Sequence, residues 1–297
     1  MTHHCDAIAV LPVVLIRALV QTHVTVCRLV LLLLLAFGVG SVSKADFVSL
    51  SAVADTSLYE NKPDSNLGAA TLVAGQNYSG SPARALFRFD LSTIPSGATI
   101  TGVDFSLSVV GQPNPDKFPS ITSDFSLYRL LVDWGEGSGG VGVPTGTSAQ
   151  SGDATWNDRH FGSSIPPIPS IPWTIPGGLS GTDYADSTST TTTISNVGLY
   201  LWPSNATIVS DVQAWVDAPS SNYGFILISQ SEGTQGTARR FSSREQPVGG
   251  TPPHLNITYS TVPEPGTFGM LLGGFLGLAG ISQRKMRAAV KGSALLD

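Results

Sequence analysis

The chain has 297 residues, two cysteines and a net charge of −5, with 12% of its residues charged. That balance argues against a nucleic-acid partner, which needs clustered Lys and Arg to replace phosphate counterions. Residues 1–45 carry Arg17, Arg28 and Lys44 against Asp6, and residues 263–297 carry Arg284, Lys285, Arg287 and Lys291 against Glu264 and Asp297, which leaves −9 on residues 46–262. Basic residues flank apolar runs and the acidic ones lie between them, the layout of an exported protein with membrane-active ends.

In chain order, Leu29 to Gly40 form a dense apolar run of signal-peptide length behind Arg28. Ser43-Lys44-Ala45 follows, with small residues at the −3 and −1 positions, so residues 1–45 read as a signal peptide with a signal helix. The alternative, a permanent anchor, meets a run that is short for a span. Both cysteines, Cys5 and Cys27, lie in this segment. The domain at 46–262 then has none, and its stability rests on the size of its core.

From Asp46 onward short strands alternate with turns. Val103, Phe105, Leu107 and Val109 alternate with polar residues, and Ala85, Phe87 and Phe89 alternate with Leu86 and Arg88. Further strands are expected around Phe125, Leu127 and Val132, at Phe225 to Ile228, and at Leu255, Ile257 and Tyr259. The fold class is therefore all-β, an antiparallel β-sandwich or jelly roll. One short helix interrupts it, with a capping-box spacing at Ser210-Asp211-Val212-Gln213 and a face of Val209, Val212 and Val216 flanked by Trp215. Between Phe161 and Trp202 five prolines precede the unbroken Ser/Thr run 187–193, an excursion from the sandwich or, alternatively, a domain boundary.

At the C-terminal end Pro263-Glu264-Pro265 precedes a short apolar stretch and then the basic Arg284, Lys285 and Arg287. The prolines hold the tripeptide extended, the stretch at 267–282 serves as a marginal transmembrane helix, and a basic tail at 284–291 follows the positive-inside rule. These three parts in this order resemble the PEP-CTERM sorting signal, here at 263–287. The resemblance implies an exosortase-type processing enzyme as partner, a transient inner-membrane anchor through the C-terminal helix, and delivery to the cell surface or extracellular matrix.

Blocks spread over residues 47–260 resemble the DNRLRE domain, a β-sandwich akin to some carbohydrate-binding modules. They are Ala54-Asp55-Thr56-Ser57-Leu58 with Asn66-Leu67-Gly68-Ala69, the run Arg84 to Leu91 with Ile94 to Ile100, and Thr155-Trp156-Asn157. Asp211 to Val216, Asn222-Tyr223-Gly224-Phe225, Arg240-Phe241-Ser242-Ser243-Arg244-Glu245 and Pro253 to Tyr259 complete them. The proline-rich run and the glycine-rich loop from Gly135 to Gly152 depart from the pattern. The resemblance implies a non-catalytic module, structural or binding an acidic extracellular polysaccharide.

Arg84, Arg88, Arg240 and Arg244, with Asp90 and Glu245, recur in these blocks, and guanidinium–carboxylate pairs that tie strands together explain them most simply. The sharper reading places Arg240 and Arg244 in a glycan site, with Trp134, Trp173 and Trp202 as aromatic faces and Trp156 as packing. The competing class is a carbohydrate-active enzyme, a polysaccharide hydrolase or lyase with Asp133 and Glu136 as its acid/base pair. His160 and His254 stand alone, which disfavours zinc. No cofactor is expected beyond a structural calcium, for which Asp55, Asp153 and Asp158 offer oxygens.

Overall fold

The computed structural model describes residues 45–113, 119–143, 145–245 and 249–261. The signal segment up to residue 44, its helix and the whole sorting tail (Pro263, Glu264, Pro265, the apolar stretch 267–282, Arg284, Lys285 and Arg287) lie outside the described residues. Among the described residues, no helix is long and apolar enough to cross a membrane.

Ten strands form an all-β antiparallel sandwich: β1 (Ala45–Tyr59), β2 (Leu72–Gln76), β3 (Pro82–Phe89), β4 (Thr99–Gly111), β5 (Ser123–Arg129), β6 (Thr190–Ile194), β7 (Gly198–Trp202), β8 (Phe225–Ser229), β9 (Arg239–Phe241) and β10 (His254–Ser260). One sheet contains β10, β4, β9 and β7; the other contains β3, β8, β5 and β6. Two strands belong to both. β1 pairs with β10 over Ala45–Ser51, breaks register between Ala52 and Ala54, and then pairs with β3 up to Tyr59. β2 pairs with β9 through Leu72–Ala74 and with β3 through Gly75 and Gln76. Strands that change sheet at an irregularity close the corners of such a sandwich.

The inward faces follow from alternation. Val103, Phe105, Leu107 and Val109 of β4 meet Ala85, Phe87 and Phe89 of β3, all buried in one core. Phe105 sits at its centre, with ring centroids 5.1 Å from Phe87, 6.2 Å from Phe89 and 5.2 Å from Trp202. The helix α1 (Ala206–Asp217) lays Ile208, Val212, Trp215 and Val216 into the same core. It starts earlier than its capping-box spacing suggests. Asn205 is the cap, accepting from the N–H groups of Thr207 and Ile208 at 2.8 and 3.1 Å. Asp211 lies inside the helix, accepting from Ser189 Oγ at 2.6 Å and pairing with Arg129 at 3.2 Å.

A second apolar cluster covers the outer face of the β3–β8–β5 sheet. Leu86 of β3, Ile226 and Ile228 of β8 and Leu58 of β1 project outward and are buried under Leu130, Trp134, Trp156 and Trp173. Those residues come from the long excursion between β5 and β6, which carries short strand pairs at Asp158–His160 with Ile171–Pro172 and at Ser163–Ser164 with Pro167–Ile168. Val132 belongs to this covering segment and not to β5, which ends at Arg129. The Ser/Thr run supplies β6, which pairs with β5.

Candidate functional site

Just past its sheet change, β1 buries Asp55 completely, opposite Phe87 of β3. The Asp55 N–H donates to Glu136 Oε1 at 2.7 Å, and Asp55 Oδ2 accepts the Arg244 N–H at 2.7 Å. Arg244 Nη2 donates to both oxygens of Glu136 at 2.9 Å and forms an ion pair with Glu245. Residues 55, 136, 244 and 245 thus meet at one place.

The loop bearing Glu136 is held by Asn66, which is fully buried. Its Nδ2 donates to the carbonyls of Glu136 (2.7 Å) and Ala154 (3.1 Å), and its Oδ1 accepts from Gly68 N (3.0 Å) and Gly139 N (2.8 Å). All four hydrogen-bonding capacities of the amide are used. Close approach requires glycine on both sides of it. A Cβ on Gly68 would fall 2.4 Å from the Glu136 carbonyl oxygen, and one on Gly137, at φ +75°, would fall 2.5 Å from the Asn66 amide.

Electrostatically the cluster is unbalanced, with three carboxylates and one guanidinium. Burial pushes the Asp55 carboxyl up to about 8; the Arg244 N–H opposes this, and the charges of Glu245 and Glu136 add to it. Burial and then the Glu136 charge raise Glu245. One oxygen each of Asp55, Glu136 and Glu245 lie within 4.8 Å of one another. Among the described residues, no donor reaches the buried Asp55 Oδ1 or Glu245 Oε2, although the two carboxyl groups are hydrogen-bonding neighbours.

The other block residues are structural. Arg84 forks onto Glu232 at 3.0 and 2.7 Å and donates to the Gly177 carbonyl at 2.8 Å. Arg88 pairs with Asp133 at 2.7 Å and lies 4.9 Å over the Trp134 ring. Asp90 accepts the Ser92 N–H at 2.9 Å. Asp133 and Glu136, the prospective acid/base pair, are therefore held by different arginines, and Asp133 also lies 3.6 Å from His160 Nε2. His160 and His254 each place Nδ1 beside a backbone carbonyl, at 3.2 and 2.9 Å. Asp153 and Asp158, the other prospective calcium donors, do not join the Asp55 group.

The tryptophans need correction. Trp134, Trp173 and Trp202 are only 2, 3 and 0% exposed. Their indole N–H groups donate to the carbonyls of Tyr223, Thr155 and Phe125. None offers a ring face to solvent, because Trp134 and Trp173 cover the outer sheet face and Trp202 fills the central core. Trp156 is buried as packing, as expected.

Arg240 differs from the other three block arginines. It is exposed and forms no ion pair among the described residues. It lines a surface groove of about 370 Å³ with Val73, Asn77, Tyr78 and Gln112, and its guanidinium lies over the bare Cα of Gly111. The Oε1 of Gln112 is buried there without a partner among the described residues. Next to it, Arg239 is 1% exposed and donates to five carbonyls, those of Gly236, Thr237, Ala238, Ile121 and Ser195, at 2.8–3.2 Å. Sequence reasoning missed Arg239, although period two places one of two adjacent strand residues inward.

No protein-family model matches the chain, and no curated protein does.

Proposed function

We propose that the chain is an exported, non-catalytic module of the cell surface or extracellular matrix that binds acidic polysaccharide through the Arg240 groove. The observation that carries this reading is the contrast among the block arginines. Arg84, Arg88 and Arg244 are engaged with Glu232, Asp133 and Glu136, whereas Arg240 faces solvent beside Tyr78 and Gln112. A guanidinium over a groove with apolar walls suits a uronate carboxylate with its ring against the wall. Arg244, the second arginine of the expected glycan site, is left to the carboxylate cluster, and the three tryptophans drop out of the site.

The enzyme alternative needs Asp133 and Glu136 free to exchange protons with a substrate between them. Their separate arginine partners support the non-catalytic reading. Full-length protein is expected to be retained by polyuronate but not by neutral glucan in affinity electrophoresis. Arg240→Gln should weaken that retention about tenfold, and added salt should weaken it further. Retention that ignores Arg240→Gln would remove the groove as the binding site, and no retention on any acidic polymer would remove the binding function and leave a scaffold. Release of reducing ends that Glu136→Gln abolishes would restore the enzyme. For export, replacing Pro263, Glu264 and Pro265 with alanine is expected to hold the protein in the membrane fraction, as the resemblance to a sorting signal implies.

A further inference from the structure

We propose that Asp55, Glu136 and Glu245 bind a divalent cation, calcium by the chemistry of its donors, which fastens strand β1 to the two segments carrying the glutamates. The donors are hard carboxylate oxygens without a histidine or thiolate among them, the set that calcium takes and zinc does not. One oxygen from each lies within 4.8 Å of the other two. That is the diameter of a calcium oxygen shell with bonds of about 2.4 Å. With all three carboxyl groups ionised, as metal binding requires, and one guanidinium among them, two negative charges remain, the amount a divalent ion neutralises.

A cluster of acids does not make a site by itself; the orphaned oxygen does. Asp55 is wholly buried, yet no donor reaches its Oδ1 among the described residues, and Glu245 Oε2 shares that condition; the two carboxyl groups are hydrogen-bonding neighbours, so a proton or a cation must lie between them. A buried carboxylate oxygen left unpaired is expensive, and the other Asp55 oxygen is already held by the Arg244 N–H. Glu136 is fixed from behind by Asn66 and from the front by Arg244, so its carboxylate is preorganised before any ion arrives. Among the described residues the Arg244 guanidinium hydrogen-bonds to Glu136 and pairs with Glu245, and it makes no hydrogen bond to Asp55 Oδ1.

The site is separate from the Arg240 groove, and its assay contains no polysaccharide, so it stands or falls independently of the binding function. The test uses full-length protein stripped with chelator and returned to calcium-free buffer. Calcium chloride at a hundredfold excess over its dissociation constant is expected to raise the melting temperature by about 5–10 °C. Calorimetric titration should give one ion per chain, and magnesium at the same concentration should give a smaller shift. Asp55→Asn keeps the shape and removes the charge. It should fold in chelator at least as well as the native chain and lose the calcium shift; should it fail to fold, Glu245→Gln serves in its place. No calcium shift in the native chain would overturn the site, as a proton shared between Asp55 and Glu245 would then balance the charge. An unchanged calcium affinity in both variants, or an equal shift with magnesium, would overturn the assignment as well.

Discussion

Arg239 places a guanidinium among five backbone carbonyls drawn from three stretches of chain, at 121, 195 and 236–238. Burial lowers its pKa, as expected for a cation removed from water. Its hydrogen bonds anchor the segment entering β5, the turn between β6 and β7, and the approach to β9. Arg239→Met should remove these five hydrogen bonds and lower stability by about 3 kcal/mol in urea titrations, and Arg239→Lys should recover only part of the loss because an ammonium cannot span the fork. At this scale the sequence is a partial guide. Arg84, Arg88 and Arg244 could be read as tie residues from guanidinium chemistry alone, and they are. The Asp55 cluster could not be read, because its members lie 81 and 189 residues from Asp55 and only the sheet change of β1 brings them together.

Strands and helix were legible in proportion to how cleanly one face meets water. β4 alternates and was found by alternation. β8 reads Phe-Ile-Leu-Ile-Ser and is buried throughout, which signals a sheet covered on both faces. Nothing local says that the cover comes from glycine- and proline-rich chain 130–185, and so Trp134 and Trp173 read as surface platforms from sequence while Trp156 reads as packing. Trp156→Ala should open the outer cluster and lower stability by about 3–5 kcal/mol, read from urea midpoints. For α1, Asp211 and Ser210 imitate a cap by composition, whereas Asn205, two residues after Pro203, is the residue that performs it. Burial raises Asp211 above the usual carboxylate range, opposed by Ser189 and Arg129. An acid whose folded pKa is raised holds its proton more tightly in the fold, so its stabilisation is complete below the unfolded pKa and is lost as pH rises through the folded one. Asp211→Asn should therefore flatten the decline in stability above about pH 4 relative to the native chain. Thermal melts across pH 4–8 check the sign, and a steeper decline in the variant would contradict it.

For the sandwich as a whole, the shared strands matter most. Because β1 and β2 each hydrogen-bond in both sheets, neither sheet can come apart without disturbing the other. Urea transitions followed by far-ultraviolet circular dichroism and by tryptophan fluorescence, which samples both apolar clusters, are expected to coincide in one cooperative step over residues 45–261. Separate midpoints would mean that the outer cluster opens on its own.

The pairing of β1 with β10 also sets how the domain bears a load. Ala45 lies opposite Ser260, and the register runs inward from there to Ser51 opposite His254. Tension applied between positions 45 and 260 meets the first rung of this ladder end-on and parts the rungs in succession, as a zipper opens. Handles at the far end of one strand and the near end of the other would instead slide the pair lengthwise and strain all the rungs together. In single-molecule pulling, the first geometry should therefore yield at much lower force than the second.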